Sequence, residues 1–410
     1  MIKAKLLEIV VYIKLFLVHH LDVIYKIYIH CRARQIRKKD KIKVLFVLVE
    51  VGTWKTEALY QAMLSHHRFN PIIGVTNCPK FNNAKTPLVN YIKTKGYDYI
   101  DLDESKKMIN KINPDIILYY EPYVGAVPHE HAYIKHLNSL LLYISYAFST
   151  MGNSYLNAPS MCNYSWFVFV ENTLVANAKK ELIGWRANNV RVTGIPIQDI
   201  LITSRHNFEN PWVDDTGKKR IIYAPHHSIQ GVSNCCIEYG TFLSFGEYML
   251  EIAEKYKDSC FFAFKPHPVL YSKLSNIWSK EKIDDYYNRW ANLENAQYSP
   301  GEYSGLFMHS DAMIHDCGSF QVEYLYTKNP VMFLDAASYN ADEQNEFGKM
   351  AHNMHYIGRC KQDIELFIQN VIKGEDPMKE ERERFYNEYL LPPNNKTASE
   401  NIIETILGYK

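Results

Sequence analysis

Several signatures are missing from this sequence, and each absence removes a class of protein. The eight cysteines include no C-x-x-C pair, and Cys235 and Cys236 are adjacent and badly placed to bond each other. The chain therefore reads as one with reduced thiols, not as a disulfide framework. No G-x-G-x-x-G follows the first apolar strand, where Gly52 stands alone in EVGTWKTE; this argues against an NAD enzyme. No G-x-x-x-x-G-K-[ST] occurs, which excludes a P-loop nucleotide hydrolase on pattern. Basic and acidic residues nearly cancel, leaving a formal net charge of +1, so nothing global points to nucleic acid as a partner. No run of about 18 uninterrupted apolar residues marks a spanning helix, and no small-residue cleavage site marks a signal peptide.

What is present suggests an ordinary globular body with an unusual leader. With 410 residues, 47% of them apolar, two domains are expected rather than one core. The first 25 or so residues are apolar for most of their length but interrupted by Glu8, Lys14, Asp22 and Lys26, and RARQIRKKDKIK follows. Residues 1–43 hold eleven basic and three acidic side chains, enough for attraction to anionic lipid at about 1 kcal/mol per surface cation. An amphipathic helix lying in the inner leaflet is the expectation for residues 1–40; a core or partner-binding helix is the other reading.

From Lys43 onward, short apolar runs alternate with amphipathic ones. KVLFVLVEV, FNPIIGVTN, YDYIDLD, DIILYYEPY, LLLYISYAF, WFVFVEN and VRVTGIP read as strands, separated by helix-like stretches such as WKTEALYQAMLSHH and TLVANAKKELIGW. Near-continuous apolar strands alternating with helices indicate a parallel sheet covered on both faces. The polar, aperiodic segment 203–219 reads as a linker. RIIYAPHH, CFFAFKPHP, DAMIHDCGS and PVMFLD then supply a second set of strands. The expected division is a first α/β domain over 41–204 and a second over 205–410, facing each other across a cleft.

In open parallel sheets, ligands bind beyond the carboxyl ends of the strands. In the second domain those ends deliver His226 and His227, then Lys265 and His267, then His315, Asp316, Gly318 and Ser319. Pro266 and Pro268 hold the turn around His267 rigid. Imidazole donates to a phosphate oxygen or accepts a proton. The turn HDCGS runs into the helix-like FQVEYLYTK, whose leading N–H groups suit a phosphate; a plain N-cap role for Ser319 is the alternative. Without H-x-x-x-H or paired cysteines, no metal is expected. Glu50 and Glu121, at the ends of two first-domain strands, are candidate acceptor-side carboxylates.

The order VRVTGIPIQDIL, IIYAPHHS, FFAFKPHP, SDAMIHDCGSFQVEYLYTKNPVMFLD and NKTASENIIETIL resembles the CDP-glycerol glycerophosphotransferase family of cell-envelope polymer synthesis. The resemblance extends over nearly all of 43–410 and is strongest over 220–335. It implies a GT-B fold, with two Rossmann-like domains and the donor on the C-terminal one. It also implies a peripheral protein on the cytoplasmic face of the membrane. Its partners would be a nucleotide-activated donor, CDP-linked by preference, and a membrane-linked glycan or polymer acceptor, with no cofactor. His267 lies where the family has a histidine on the donor phosphates. Asp316 and Ser319 match the aspartate and last serine of a TDYSS-like turn, with His315, Cys317 and Gly318 replacing threonine, tyrosine and serine. His226 and His227 replace a Thr-Trp pair, and Ser228 an arginine. The implied roles are catalytic for His267 and Asp316, and donor-binding for Lys265, His226, His227, His315, Gly318 and Ser319.

The family's Trp-His-Gly turn, whose histidine is the proposed base, here reads YISYAFSTMGNS, without histidine. Either the base comes from elsewhere or the acceptor chemistry differs. A GT-B glycosyltransferase with a nucleotide-sugar donor and a catalytically silent homologue are the rival expectations. A sugar-nucleotide epimerase is a third, suggested by the DCGS turn and disfavoured by the amphipathic leader.

Overall fold

The computed structural model describes residues 22–79, 83–121, 125–152, 159–203, 205–214, 216–229, 240–301, 303–335 and 341–408. Within them lie two parallel sheets. The first contains β1 (Ile42–Leu48), β2 (Phe69–Val75), β3 (Tyr99–Asp101), β4 (Ile116–Tyr119), β5 (Leu140–Ile144), β6 (Phe167–Val170) and β7 (Val190–Val192), in the order β3-β2-β1-β4-β5-β6-β7. The second contains β8 (Lys219–Ala224), β9 (Cys260–Phe264), β10 (Ala296–Tyr298), β11 (Ala312–His315), β12 (Val331–Leu334) and β13 (Tyr356–Gly358), in the order β10-β9-β8-β11-β12-β13. This is the α/β, GT-B-like architecture.

Alternation along each strand explains the double cover. Ile221 and Tyr223 of β8 join one buried cluster, while Ile222 and Ala224 join another. On β9, Cys260, Phe262 and Phe264 point one way and Phe261 and Ala263 the other. Successive side chains alternate faces, so a strand apolar at every position needs helices on both sides. In each sheet the order reverses at one place, between β1 and β4 and between β8 and β11. A crevice opens at such a switch point, beyond the strand ends.

The two halves are stitched together. Met151 bridges Gln344, Gly152 N donates to Glu343 O at 2.7 Å, and Asn345 N donates to Thr150 O at 2.9 Å. Gly348 lies so close that a Cβ there would stand 2.3 Å from Thr150 O. The segment expected as a linker is anchored as well, since Trp212 is buried and donates Nε1–H to Leu306 O at 3.0 Å.

The tail departs from the expected second unit of 205–410. Helix Ala398–Leu407 packs on helices Glu57–Ser65 and Pro196–Leu201, which belong to the first sheet. Asp199 accepts from Ala398 N at 2.6 Å and Ser399 N at 2.9 Å, at the positive end of that helix. Arg37 donates to Ile406 O at 2.8 Å and Thr405 O at 3.1 Å, at the negative end. Both charges have the sign that the helix dipole favours.

Residues 22–37 are helical; residues 1–21 of the expected amphipathic leader lie outside the described residues. Ala33 and Ile36 are buried against the first half, whereas Ile24 and Ile27 are 62% and 59% exposed. Among the described residues, no helix is long and apolar enough to cross a membrane. None of the described cysteines forms a disulfide; Cys235 and Cys236 lie outside them.

Candidate active site

Three imidazoles meet beyond the carboxyl ends of β8 and β9, beside the switch point of the second sheet. The ring of His227 lies 4.1 Å from that of His226 and 4.2 Å from that of His267, and the outer two are 5.5 Å apart. Two tight turns hold them there. His267 N donates to Pro225 O at 3.0 Å, which ties the turn after β9 to the turn after β8. Asp316, just past β11, accepts from His226 N at 2.5 Å, Thr241 N at 2.5 Å and Thr241 Oγ1 at 2.8 Å. Gly240 makes the last approach possible, because a Cβ there would stand 1.9 Å from Ser228 O.

The strand-end histidines share one local device. Nδ1 of His226 accepts from Ser228 N at 3.2 Å, Nδ1 of His267 from Val269 N at 3.1 Å, and Nδ1 of His315 from Cys317 N at 3.1 Å. Each is a ring nitrogen bonded to the backbone two residues on, as in an Asx turn. A ring nitrogen that accepts carries no proton, so the bond assigns the proton of the neutral ring to Nε2. His226 and His267 thereby become fixed N–H donors.

The trio is neutral. Burial pushes His226 well below its usual range, helped by the charges of His227 and His267. Burial lowers His267 to about 3, with His227 and Lys265 adding to the effect. His227 is lowered by burial and by Lys273. Ring nitrogens of the three lie within 4.8 Å of one another, a spacing that would also accept a metal ion. The tautomer counts against that use: a ligating Nε2 must be free of its proton, which the backbone bonds at His226 and His267 place there. Neutral N–H donors with a lysine beside them suit an anion's oxygens.

The other expected residues divide. Lys265 is buried, and its ammonium donates to Gly301 O at 2.8 Å and Pro300 O at 3.4 Å, so it braces a loop while its charge acts on His267. His315 is fully buried, with its ring 5.3 Å from His355 and 5.4 Å from Phe333, packed among β12 and the 352–355 turn. Asp316 is fully buried with both oxygens occupied; it clamps loops together, in contrast to the catalytic role expected. Ser319 is exposed, and its hydroxyl lies 3.3 Å from Cys317 Sγ without capping the next helix. That helix is α over Phe320–Glu323 and continues as 3-10 over Tyr324–Thr327, so FQVEYLYTK is helical nearly throughout but tightens after one turn. Gly318 is half-buried beside it. Lys273, on helix Leu270–Leu274, was not expected; its helical distance from KPHP is the signal that would have found it.

The first half reaches this site through Lys55. Its ammonium donates to Tyr303 Oη, which in turn donates to buried Glu323. Lys55, from the loop after β1, thus holds Tyr303, two residues on from the Gly301 that Lys265 holds. A separate cavity of about 360 Å³, lined by Gly152, Asn177, Glu181, Asn345 and Glu346 among others, does not include the trio.

Residues 34–408 match the sequence profile of CDP-glycerol:poly(glycerophosphate) glycerophosphotransferases. The chain belongs to that family. It is a glycerophosphotransferase-like transferase, as the motif order implied. No curated protein matches the chain in sequence. Among solved structures, the wall teichoic acid polymerase TagF is 13% identical, covers 95% of each chain and has a TM-score of 0.57. A putative UDP-N-acetylglucosamine 2-epimerase from Listeria monocytogenes is 15% identical over 89% of this chain and 96% of its own, with a TM-score of 0.63. The Neisseria meningitidis UDP-GlcNAc 2-epimerase bound to UDP-GlcNAc is 16% identical over 90% of this chain and 100% of its own, with a TM-score of 0.61. At these identities the epimerases share a fold with this glycerophosphotransferase relative, and the family profile settles the class of reaction.

A stability consequence follows from the neutral rings. Above pH 6.5, His267 and His315 are uncharged whether the chain is folded or unfolded; below it, the unfolded chain takes up protons that the folded chain refuses until about pH 3. Stability is thus complete above pH 6.5 and falls as pH drops through that window. Thermal melts at pH 7.5, 6 and 5 should show a falling midpoint, and a His315→Phe variant should show a shallower fall.

Proposed function

We propose that this transferase moves a glycerol-phosphate-type group from a CDP-linked donor to a cell-surface glycan or teichoic-acid-like acceptor. The observation that supports it best is the trio His226–His227–His267, in which the fixed Nε2–H donors of His226 and His267 and the Lys273 beside His227 suit a diphosphate next to a sheet's switch point. An acceptor hydroxyl attacks the β-phosphorus, the bond from that phosphorus to the bridging oxygen breaks, and CMP leaves. The protein's contribution is positioning and stabilisation of the charge developing on the phosphates. The absent Trp-His-Gly histidine favours a second reading, a nucleotide-sugar donor held by the same grip. Calorimetry with CMP, CDP and UDP, followed by assay of the nucleotide released from CDP-glycerol, tests both. Preference for CMP or CDP supports the polyol-phosphate reading; preference for UDP supports the second; binding of none leaves a silent homologue.

The membrane reading rests on helix 22–37. Val23, Ile24, Ile27 and Tyr28 are exposed on it, and Arg34, Lys38, Lys39 and Lys41 are exposed nearby. An apolar stripe flanked by cations suits an anionic bilayer surface. Because Ile36 and Arg37 are built into the first half, deleting the whole leader would damage the fold, and substitution is the cleaner test. Ile24→Asp with Ile27→Asp should move the protein from vesicles containing phosphatidylglycerol into the supernatant, with its melting temperature unchanged. Unaltered co-sedimentation would count against the anchor.

A further inference from the structure

We propose that Glu50 is the general base that takes the proton from the acceptor hydroxyl, in place of the histidine this chain lacks. The inference rests on the transfer reading above and assigns a further residue of the same site.

Topology supplies the first argument. Glu50 lies two residues beyond β1, and Glu121 two beyond β4. These two strands pair side by side where the order of the first sheet reverses. The switch point of the first half therefore presents carboxylates, and the strand ends beside that of the second present imidazoles. Facing halves of this kind bring their strand ends to one cleft.

Contacts supply the second argument. Five residues after Glu50, Lys55 reaches Tyr303, and Tyr303 reaches Glu323. Lys265, two residues before His267, holds Gly301. The loop carrying Glu50 is thus laid on the loop that braces the turn of His267. Among the described residues, the carboxylate of Glu50 takes no hydrogen bond and makes no ion pair, while the side chain is half-buried. A carboxylate held out of water with no partner is poised to accept a proton. Burial raises its pKa from the usual value, which makes it a stronger base.

Other candidates in the first half fit less well. His131 and His136 are 1% and 7% exposed, closed to an acceptor. His66 and His67 precede β2, at the opposite end of the sheet. His129 is exposed on the long connection after β4 and serves as the control.

In the proposed step, the hydroxyl proton passes to a Glu50 carboxylate oxygen as the hydroxyl oxygen bonds to the β-phosphorus. The electron pair of the breaking P–O bond leaves on CMP. The test uses the full chain with CDP-glycerol as donor and synthetic oligo(glycerol phosphate) as acceptor. Glu50→Gln should lower kcat by about 10²–10⁴-fold, the usual worth of a positioned base. It should keep the dissociation constant for CDP within about twofold, a change far smaller than the tenfold that 1.4 kcal/mol would give. The acidic limb of the rate profile should disappear with it, and Glu50→Asp should recover part of the rate. Full activity of Glu50→Gln with an unchanged acidic limb would overturn the role of Glu50, as would loss confined to His129→Gln. A wild-type protein that binds no CDP and releases no CMP overturns the reading of the whole site, and this inference with it.

Discussion

Replacing His267 with asparagine lowers transfer by about 10²–10³-fold, the range seen when one donor to a developing charge is removed, and the protein stays folded. Asparagine is the informative choice because His267 does two things. Its Nδ1 accepts from Val269 N and shapes the turn, which leaves its Nε2–H as the donor. An asparagine oxygen accepts from the backbone two residues on, so the turn survives, while nothing of asparagine reaches the place of Nε2. His267→Ala removes both functions and leaves Val269 N without its partner, so its loss of activity includes a structural part. Comparing the two variants separates positioning of the turn from the grip on the donor. Activity near wild type in a well-folded His267→Asn protein would remove the trio from the chemistry. Lys273→Ala should weaken CDP binding with a smaller effect on kcat, because the ammonium stands beside His227 as a point charge with no fixed direction.

Asp316→Ala has the second large effect, and it is one of stability. The side chain is fully buried and joins three segments: the turn after β8, the start of the helix Phe242–Lys255 and the end of β11. Truncation orphans two backbone N–H groups and one hydroxyl. Each buried unsatisfied group costs about 1–3 kcal/mol, so a loss of at least about 3 kcal/mol is expected. Chemical denaturation checks the magnitude. Asp316→Asn retains one acceptor oxygen and should lose less. Because the clamp fixes the backbone of His226, nucleotide affinity should fall with stability in both variants. A stable Asp316→Ala protein that binds nucleotide normally would show that His226 and Thr241 are held in place by other contacts.

These two variants also show where sequence reasoning worked and where it failed. Strands such as KVLFVLV and FFAF were legible because burial on both faces leaves an unbroken apolar run, which helices of this size seldom show. The edge strands β10 and β13, three residues each, were not: AQY and YIG are too short and too little apolar to stand out, whereas β3 and β7, equally short, were legible inside longer apolar runs. The strand-end rule correctly pointed to the histidines of YAPHH and KPHP as neighbours. It could not assign faces, and so it grouped His315 with them although its ring turns toward His355. Nor could it separate a carboxylate that reacts from one that holds a loop, since both are polar residues after a strand. Only the three donors on Asp316 and the two carbonyls on Lys265 reveal those side chains as braces. Lys273 escaped because a helix that begins three residues past His267 carries it back toward the trio, a return path that linear spacing conceals.

The closing helix Ala398–Leu407 has a bearing on how the chain is made. Its two caps come from Asp199 and Arg37, and its apolar side completes the packing around Glu57–Ser65. A chain emerging from the ribosome N-terminus first must therefore make both sheets and then this helix before the earlier-made half is closed. Until that helix arrives, the first half carries an uncovered apolar seam, which is an opening for chaperones.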